Sequence, residues 1–288
     1  MSKSRIFVFI TALLLLFTAA GCEKSGVTDD QPAAAQSVIV TTDALYEIVS
    51  TVAGDKLEVT KLLSGGEEIH HFEPTARDAE ALAEADLIIC NGLGLDDWAA
   101  ELAGKTDVFA AAGDLQDALI AGDPHVWLSP KFAAELARSI CTRLSVLSPE
   151  NADAFALNCS VFYAALEALS YEFAPQFAEA RLDTFVTGHA AFAYLAAEFN
   201  LTQKSVSDVF SSSEPTAQQL MQLADFCNDN GVKYVLSESA APLAVSETLA
   251  KECGAEVLPV YMMESSEGGL SFVARMRSNL EAVLLAVS

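Results

Sequence analysis

DTFVTGHAAFAYLAAEF, residues 183–199, carries the pattern from which the rest of the fold follows. Thr184 to Gly188 is rich in β-branched and aromatic residues and runs into His189, after which Ala191 to Phe199 places Ala, Tyr, Leu and Phe at helical spacing. A strand feeding a helix in this way, when repeated, marks a parallel sheet covered by helices. Downstream, LTQKSVS, VKYVLSE and AEVLPVY read as further strands, with helices near residues 191–199, 216–230, 242–253 and 270–286. Upstream the alternation recurs: SVIVTT, LEVTKLL, DLIICNG and DVFAA read as strands, separated by helical stretches at 44–53, 75–85 and 95–102. The expectation is an α/β protein of two parallel-sheet lobes.

A helical linker joins them. Pro130 opens a helix to about Val146, and Ser148-Pro149-Glu150 then supplies an N-cap, a proline at the first helical position and an acid in the first turn. The helix that follows is expected to stop near Ala174, because Pro175 has no N–H to continue the ladder. About 26 residues at 1.5 Å each make a rod of roughly 39 Å, long enough to brace both lobes. The implied boundaries are a first lobe at 37–146, a linking helix at 147–178 and a second lobe at 179–288.

The first residues lie outside this pattern. Lys3 and Arg5 precede the apolar run Ile6 to Phe17, and Thr18-Ala19-Ala20-Gly21 leads into Cys22. The run is shorter than the roughly 20 residues of a membrane-spanning helix, so residues 1–21 read as an export signal. The Gly-Cys junction resembles the lipobox of bacterial lipoproteins, which makes Cys22 the expected lipid attachment point. Ala19 stands where that pattern commonly has Leu, and cleavage near Ala20 with release of the chain is the alternative. Residues 22–36 are small or polar and read as a flexible tether. Location is therefore expected outside the cytoplasm, on the cell membrane, or periplasmic in a host with two membranes.

Net charge is −24 over the 288 residues, and loss of residues 1–21 removes Lys3 and Arg5 but no acid, giving −26. So acidic a chain is not a nucleic-acid binder. Of the six cysteines none forms a CxxC pair. Setting Cys22 aside, burial as small hydrophobes is the default for Cys90, Cys141, Cys159, Cys227 and Cys253, although export permits Cys227 to pair with Cys253.

Histidine is scarce and placed with a pattern. His70 and His71 lie in SGGEEIHHFEP, His125 in AGDPHVWLSP and His189 in TFVTGHAAF, each at a strand end or a loop rich in turn residues. Ligands of open parallel sheets sit beyond the carboxyl ends of the strands. Imidazole is the commonest protein metal ligand, so two presentations from one lobe and one from the other point to a metal in the cleft between them. Singly, a loop histidine is an ordinary surface or hydrogen-bonded residue.

Four segments then share a resemblance. HHFEPTARDAEALAEADLIICNGLGLDDW is similar to an H-x-[YF]-E-P segment with following A-D and N-G-x-G elements, DPHVWLSP to D-P-H-x-W-L-x-P, GHAAFAYLA to H-x-A-F-x-Y, and MRSNLEAVLLAV to a closing M-x-x-N-L helix. In that order, over about 250 residues, they resemble the solute-binding lipoproteins of bacterial zinc and manganese ABC importers, the cluster A-I binding proteins. The resemblance implies His70, His125 and His189 as metal ligands, the spacing to Glu-Pro selecting His70 over His71. Many members have an Asp at the end of the last strand, where this chain has Tyr261. Glu264, in VLPVYMMESSEGG, is taken as the fourth ligand, with Glu238, Tyr261 and water as alternatives, or as a plain exposed loop acid. Ala190 stands where relatives often have Asp, and Glu73 is the candidate to support the histidines, unless it only caps the next helix.

Three imidazoles with one carboxylate suit Zn2+ as the transported ligand, with Mn2+ the alternative, because manganese sites carry more oxygen. The resemblance implies a monomer that captures the ion and delivers it to an ABC permease with its ATPase. A zinc-binding surface adhesin or reservoir is the second reading. Catalysis is not expected: the chain has no HExxH helix, no Gly-x-Ser-x-Gly elbow and no phosphate-binding glycine loop.

Overall fold

Two four-stranded sheets, every pairing parallel, are what the alternation builds. The first holds β1 (Ser37–Val40), β2 (Glu58–Lys61), β3 (Leu87–Cys90) and β4 (Asp107–Ala110) in the order β2-β1-β3-β4. The second holds β5 (Thr184–His189), β6 (Thr202–Ser207), β7 (Tyr234–Glu238) and β8 (Glu256–Val260) in the order β6-β5-β7-β8, the same permutation. The central strand β3 is buried along its whole length, whereas edge strand β2 alternates. That is the expected difference between a strand covered on both faces and a sheet edge. The structure is a computed structural model describing residues 36–63, 69–120, 122–209, 216–238, 243–264 and 269–288, and 35–288 cluster as one compact unit. The export signal, Cys22 and nearly all of the tether lie outside the described residues, as does the side chain of His71.

The connecting helices are α1 (Asp43–Ala53), α2 (Ala76–Glu84), α3 (Trp98–Leu102), α4 (Pro130–Leu147), α5 (Ala152–Ala178), α6 (Ala193–Glu198), α7 (Ala217–Asn230), α8 (Leu243–Cys253) and α9 (Phe272–Val287). Their starts are written in the sequence. Thr75 with Asp78 and Thr216 with Gln219 form capping boxes at α2 and α7, each satisfying two otherwise orphaned N–H groups. Ser129 caps α4, with Pro130 at the first position. Ser148 does not cap as expected. Its hydroxyl pairs with Glu150 and Asn151, and a 3-10 turn at Pro149–Asn151 leads into α5.

Helix α5 also overruns its expected end. It continues through Pro175 to Ala178, 27 residues or about 40 Å. The N–H that Pro175 lacks would have bonded the carbonyl of Tyr171, a residue 74% exposed, so water can serve that group and the last turn survives. Phe155, Cys159, Phe162, Leu166, Leu169, Phe173 and Phe177 form its buried side, packed on α1 and α4 of the first lobe and on α9 of the second. From Pro149 to Ala178 it is also the one helix among the described residues long and apolar enough to cross a membrane, a test that a core helix passes too.

Helix α9 completes the brace. Arg277 makes two hydrogen bonds of 2.6 Å to Glu172 of α5. Arg275, fully buried, pairs with Glu47 of α1. The five described cysteines are all free thiols, Cys227 and Cys253 included.

Candidate metal centre

His70 sits in a 3-10 turn (Ile69–His71) beyond β2, His125 immediately before another (Val126–Leu128), and His189 is the last residue of β5. The three rings meet. Their centroids lie 5.1, 5.6 and 5.0 Å apart and the ring planes cross at 61 to 82°, so they face a common point edge-on and do not stack. One nitrogen from each falls within 4.8 Å of the others. His70 and His125 approach most closely, Nε2 to Nε2, at 3.1 Å. His125 and His189 are buried and His70 is half-buried.

The first lobe fixes its histidine through a carboxylate. Asp123 Oδ1 accepts both from the His125 backbone N–H, at 2.9 Å, and from the ring Nδ1, at 2.8 Å. Pro124 between them biases Asp123 towards an extended conformation, which lets the carboxylate fold back on a residue only two positions away. Burial pushes the His125 pKa below its ordinary range, against the pull of Asp123. The ring is thereby kept neutral, the form that can ligate. With Nδ1 on Asp123, the lone pair at Nε2 faces the cluster.

The second lobe holds His189 by its backbone. The His189 N–H donates to Glu238 Oε1 at 3.0 Å, and its carbonyl accepts from Thr187 Oγ1 and Gln203 Nε2 at 2.6 and 2.8 Å. The ring itself meets a main-chain group, Nε2 lying 2.7 Å from the Val209 carbonyl. While that hydrogen bond holds, Nε2 carries the proton and Nδ1 the lone pair. Burial pushes the Glu238 carboxyl up to about 7. Gly188 makes room for it, since a Cβ there would lie 2.9 Å from Glu238 Oε2 and 2.7 Å from Ser246 Oγ. Glu238, an alternative fourth ligand from the sequence, accepts from the His189 main chain through Oε1. The Tyr261 N–H donates to Asn279 Oδ1 at 2.7 Å.

Two contacts tie the lobes together at the site. Trp127 donates from Nε1 to the Met262 carbonyl at 2.9 Å, and the Tyr194 hydroxyl accepts from Ile120 N–H and donates to the Asp123 carbonyl, both at 3.0 Å. Glu264, on the loop after β8, is half-buried. Its predecessor Met263 is buried with φ +63°, a strained value for a residue with a side chain. Glu73, expected to support the histidines or to cap a helix, is exposed, and α2 is capped by Thr75 and Asp78. The carboxylate that orients a ring is Asp123, which the sequence reading quoted within DPHVW and gave no role. Its position two residues before a histidine, across a proline, was the available signal. Tyr194 was passed over in the same way within the H-x-A-F-x-Y segment.

Two like-ordered parallel sheets with a cluster of imidazoles between them define a two-lobed solute-binding protein. The chain belongs to the family described as zinc-uptake complex component A, periplasmic, which matches residues 38–285. This is a family of extracytoplasmic solute-binding proteins, as the motif resemblance implied. The chain is 33% identical to a putative metal-binding protein of Treponema pallidum (strain Nichols), over 95% of this chain and 94% of that one. It is 29% identical to the zinc-binding lipoprotein AdcA of Streptococcus pneumoniae, over 97% of its own length but 60% of AdcA's. Its fold matches the laminin-binding protein Lmb of Streptococcus agalactiae, described as bifunctional with adhesin and metal transporting activity, at a TM-score of 0.82, 31% identity, 88% of this chain and all of that one. A Zn(II)-bound variant of AdcAII from Streptococcus pneumoniae matches at a TM-score of 0.79 and 28% identity, over 89% of this chain and all of that one.

Proposed function

We propose that this protein captures Zn2+ outside the cytoplasm and hands it to an ABC permease with its ATPase, with His70, His125 and His189 as ligands. The observation that carries the reading is the meeting of three imidazoles from two lobes, with ligand atoms within 4.8 Å of one another. Neutral nitrogen donors favour zinc over manganese, which takes more oxygen. Glu264 is the fourth donor, its loop tethered to the site by the bond between Trp127 and Met262. Cys22 carries the lipid that holds a monomer at the membrane, in keeping with the Gly-Cys junction. The chain breaks no bond in the ion's passage. Because α5, the Arg275–Glu47 pair and the Tyr194 contact all cross between lobes, capture proceeds with small lobe shifts and loop movement.

The test is to offer metal-free residues 23–288 equal zinc and manganese and to count bound ions by mass spectrometry, beside His189→Ala. One zinc per chain, lost or much weakened in the variant, is expected. Preferential manganese overturns the cargo, and no stoichiometric metal overturns the site. The likeness to Lmb favours adhesion as a second reading. Deletion that abolishes growth in zinc-poor medium, restored by added zinc, separates import from adhesion.

A further inference from the structure

Asn91 opens the N-G-x-G segment immediately after β3 and is wholly buried. Its main chain is pinned on both sides. The N–H donates to Asp96 Oδ2 at 2.7 Å, and the carbonyl accepts from the Ala112 N–H at 3.1 Å. Asp96, also buried, takes the Gly92 N–H on Oδ1 and the Thr41 hydroxyl on Oδ2, so the ends of β1 and β3 are gathered on one carboxylate. From that fixed base the Asn91 side chain reaches the loop that carries His125. Its Nδ2 donates to the Pro124 carbonyl at 3.0 Å and to that of Gly92 at 3.2 Å. Both neighbours of this end are carbonyls, so the amide can present only its NH2 group there. Oδ1 is left buried without a hydrogen-bond partner.

The Pro124 carbonyl has a second donor, and that donor shows what it does. It accepts from the Val126 N–H at 2.9 Å, across His125. His125 has φ −81° and ψ 43°, close to the inverse γ-turn values of about −75° and +65°. His125 is therefore the central residue of a three-residue turn, and the oxygen that closes the turn is the one Asn91 holds. In so tight a turn the direction of the central Cα–Cβ bond follows from the two flanking peptides. Asp123 fixes how the ring is turned, and Asn91 fixes the peptide from which the ring projects.

We propose that Asn91 is a positioning residue for metal capture: its amide holds the γ-turn that aims the His125 ring at the other two histidines. The inference rests on His125 being a zinc ligand. Packing alone does not account for an asparagine here. A buried acceptor without a partner is unfavourable, and an apolar side chain of similar size would avoid it. What the amide supplies is a donor that spans from the end of β3 to Pro124.

The experiment compares Asn91→Ala and Asn91→Asp with the parent and with Asn158→Ala. Asn158 makes a similar bond, from Nδ2 to the Val52 carbonyl at 3.1 Å, where α5 packs on α1, so its loss reports what a missing amide does to stability alone. Three quantities are measured: zinc affinity by chelator competition, Tm of the metal-free protein, and the visible spectrum of the protein loaded with Co2+, whose d–d bands follow coordination geometry. Asn91→Ala is expected to weaken zinc binding by about tenfold, the lower end of what loss of an outer partner does, and to shift the cobalt bands. Asn91→Asp keeps the shape but sets a carboxylate against two carbonyls, and should weaken binding further. Asn158→Ala should lower Tm and leave affinity and spectrum unchanged. An Asn91→Ala protein with lowered Tm but the parent's zinc affinity and cobalt spectrum overturns the inference, since the amide would then serve the fold only. In the unmutated chain the Asn91 side-chain amide protons, followed by NMR, should exchange slowly with water before zinc is added. Free exchange there overturns the inference even if neither variant folds. A parent that binds neither zinc nor cobalt brings down the ligand assignment of His125 and this inference with it, whereas a parent that binds beside an unaffected Asn91→Ala brings down this inference alone.

Discussion

The two lobes share one strand order, yet they hold their histidines by different means. In the first, a carboxylate two residues away grips both the ring and the backbone of His125. In the second, Ala190 follows His189 where a carboxylate would stand by resemblance, and the ring is held by the Val209 carbonyl on the loop leaving β6. The β-strand ends differ in the same sense. Asp96, beyond β3, receives Thr41 Oγ1 and the N–H groups of Asn91 and Gly92 at 2.6 to 2.7 Å, whereas Glu238, at the end of β7, receives the His189 N–H at 3.0 Å. The proposed site therefore has its more firmly held ring in the first lobe, and the order of capture expected on that reading is His125 and His70, then His189.

The largest effect should come from removing the more firmly held ring. His125→Ala is expected to weaken zinc binding by well over the roughly 10–100-fold that loss of an outer partner costs. His189→Ala should cost less, since its ring is held by a main-chain carbonyl and not by a carboxylate. Competition against a zinc chelator measures both. Equal losses, or the reverse order, would show that the lobes contribute alike and would sink the ordering proposed here.

Glu238 offers a second break, in stability. Its carboxyl sits at about 7 in the fold, above the ordinary 4.5, so the folded state holds a proton that the unfolded chain releases. Its contribution is present below about pH 4.5 and is lost as pH rises towards 7, by at most about 3 kcal/mol at roughly 1.4 kcal/mol per unit. Glu238→Gln keeps an acceptor for the His189 N–H and cannot ionise. The metal-free variant should therefore show a flatter Tm between pH 4.5 and 7 than the parent. Parallel profiles would mean that Glu238 titrates normally.

Asp123→Asn is a smaller perturbation, because it keeps an oxygen while removing the charge that orients the ring. Zinc affinity should fall by roughly 10–100-fold. A histidine already fixed by packing alone would lose nothing.

How much of this was legible in the sequence depends on what each residue type encodes. Strand, helix and cap positions were readable because their signals are local: a change of period from 2 to 3.6, and Thr75-Asp78 or Thr216-Gln219 at capping-box spacing. The end of α5 was missed because Pro175 costs a helix little in its last turn when the orphaned carbonyl faces water, and exposure is not local information. The three histidines were found through strand ends and through the family's motifs, and the structure brings them together. Glu238 was read as an alternative to Glu264 for the fourth ligand, because a carboxylate near a cleft looks alike in sequence whether it faces an ion or, as Oε1 does here, a backbone N–H.

Tyr194 gives the finest test of the comparison, because it is a point where the second lobe touches the first. Its hydroxyl bridges Ile120 N–H and the Asp123 carbonyl, on the loop that carries His125. Tyr194→Phe keeps the buried ring and its edge-on contact with Phe132 but leaves those two main-chain groups without the hydroxyl. Stability should fall by about 1–3 kcal/mol, the cost of unsatisfied buried polar groups. Asp123 still grips His125 from within its own loop, so zinc affinity should fall by less than for Asp123→Asn, to within about tenfold. Calorimetry and chelator competition on the same preparation separate the two effects. A fall in Tm with unchanged affinity would mean that Asp123 alone pre-sets the ring and that the second lobe lends it no support. A loss of affinity as large as that of Asp123→Asn would mean that the first lobe's geometry is imposed from across the cleft, and the contrast between a more and a less firmly held ring would fail.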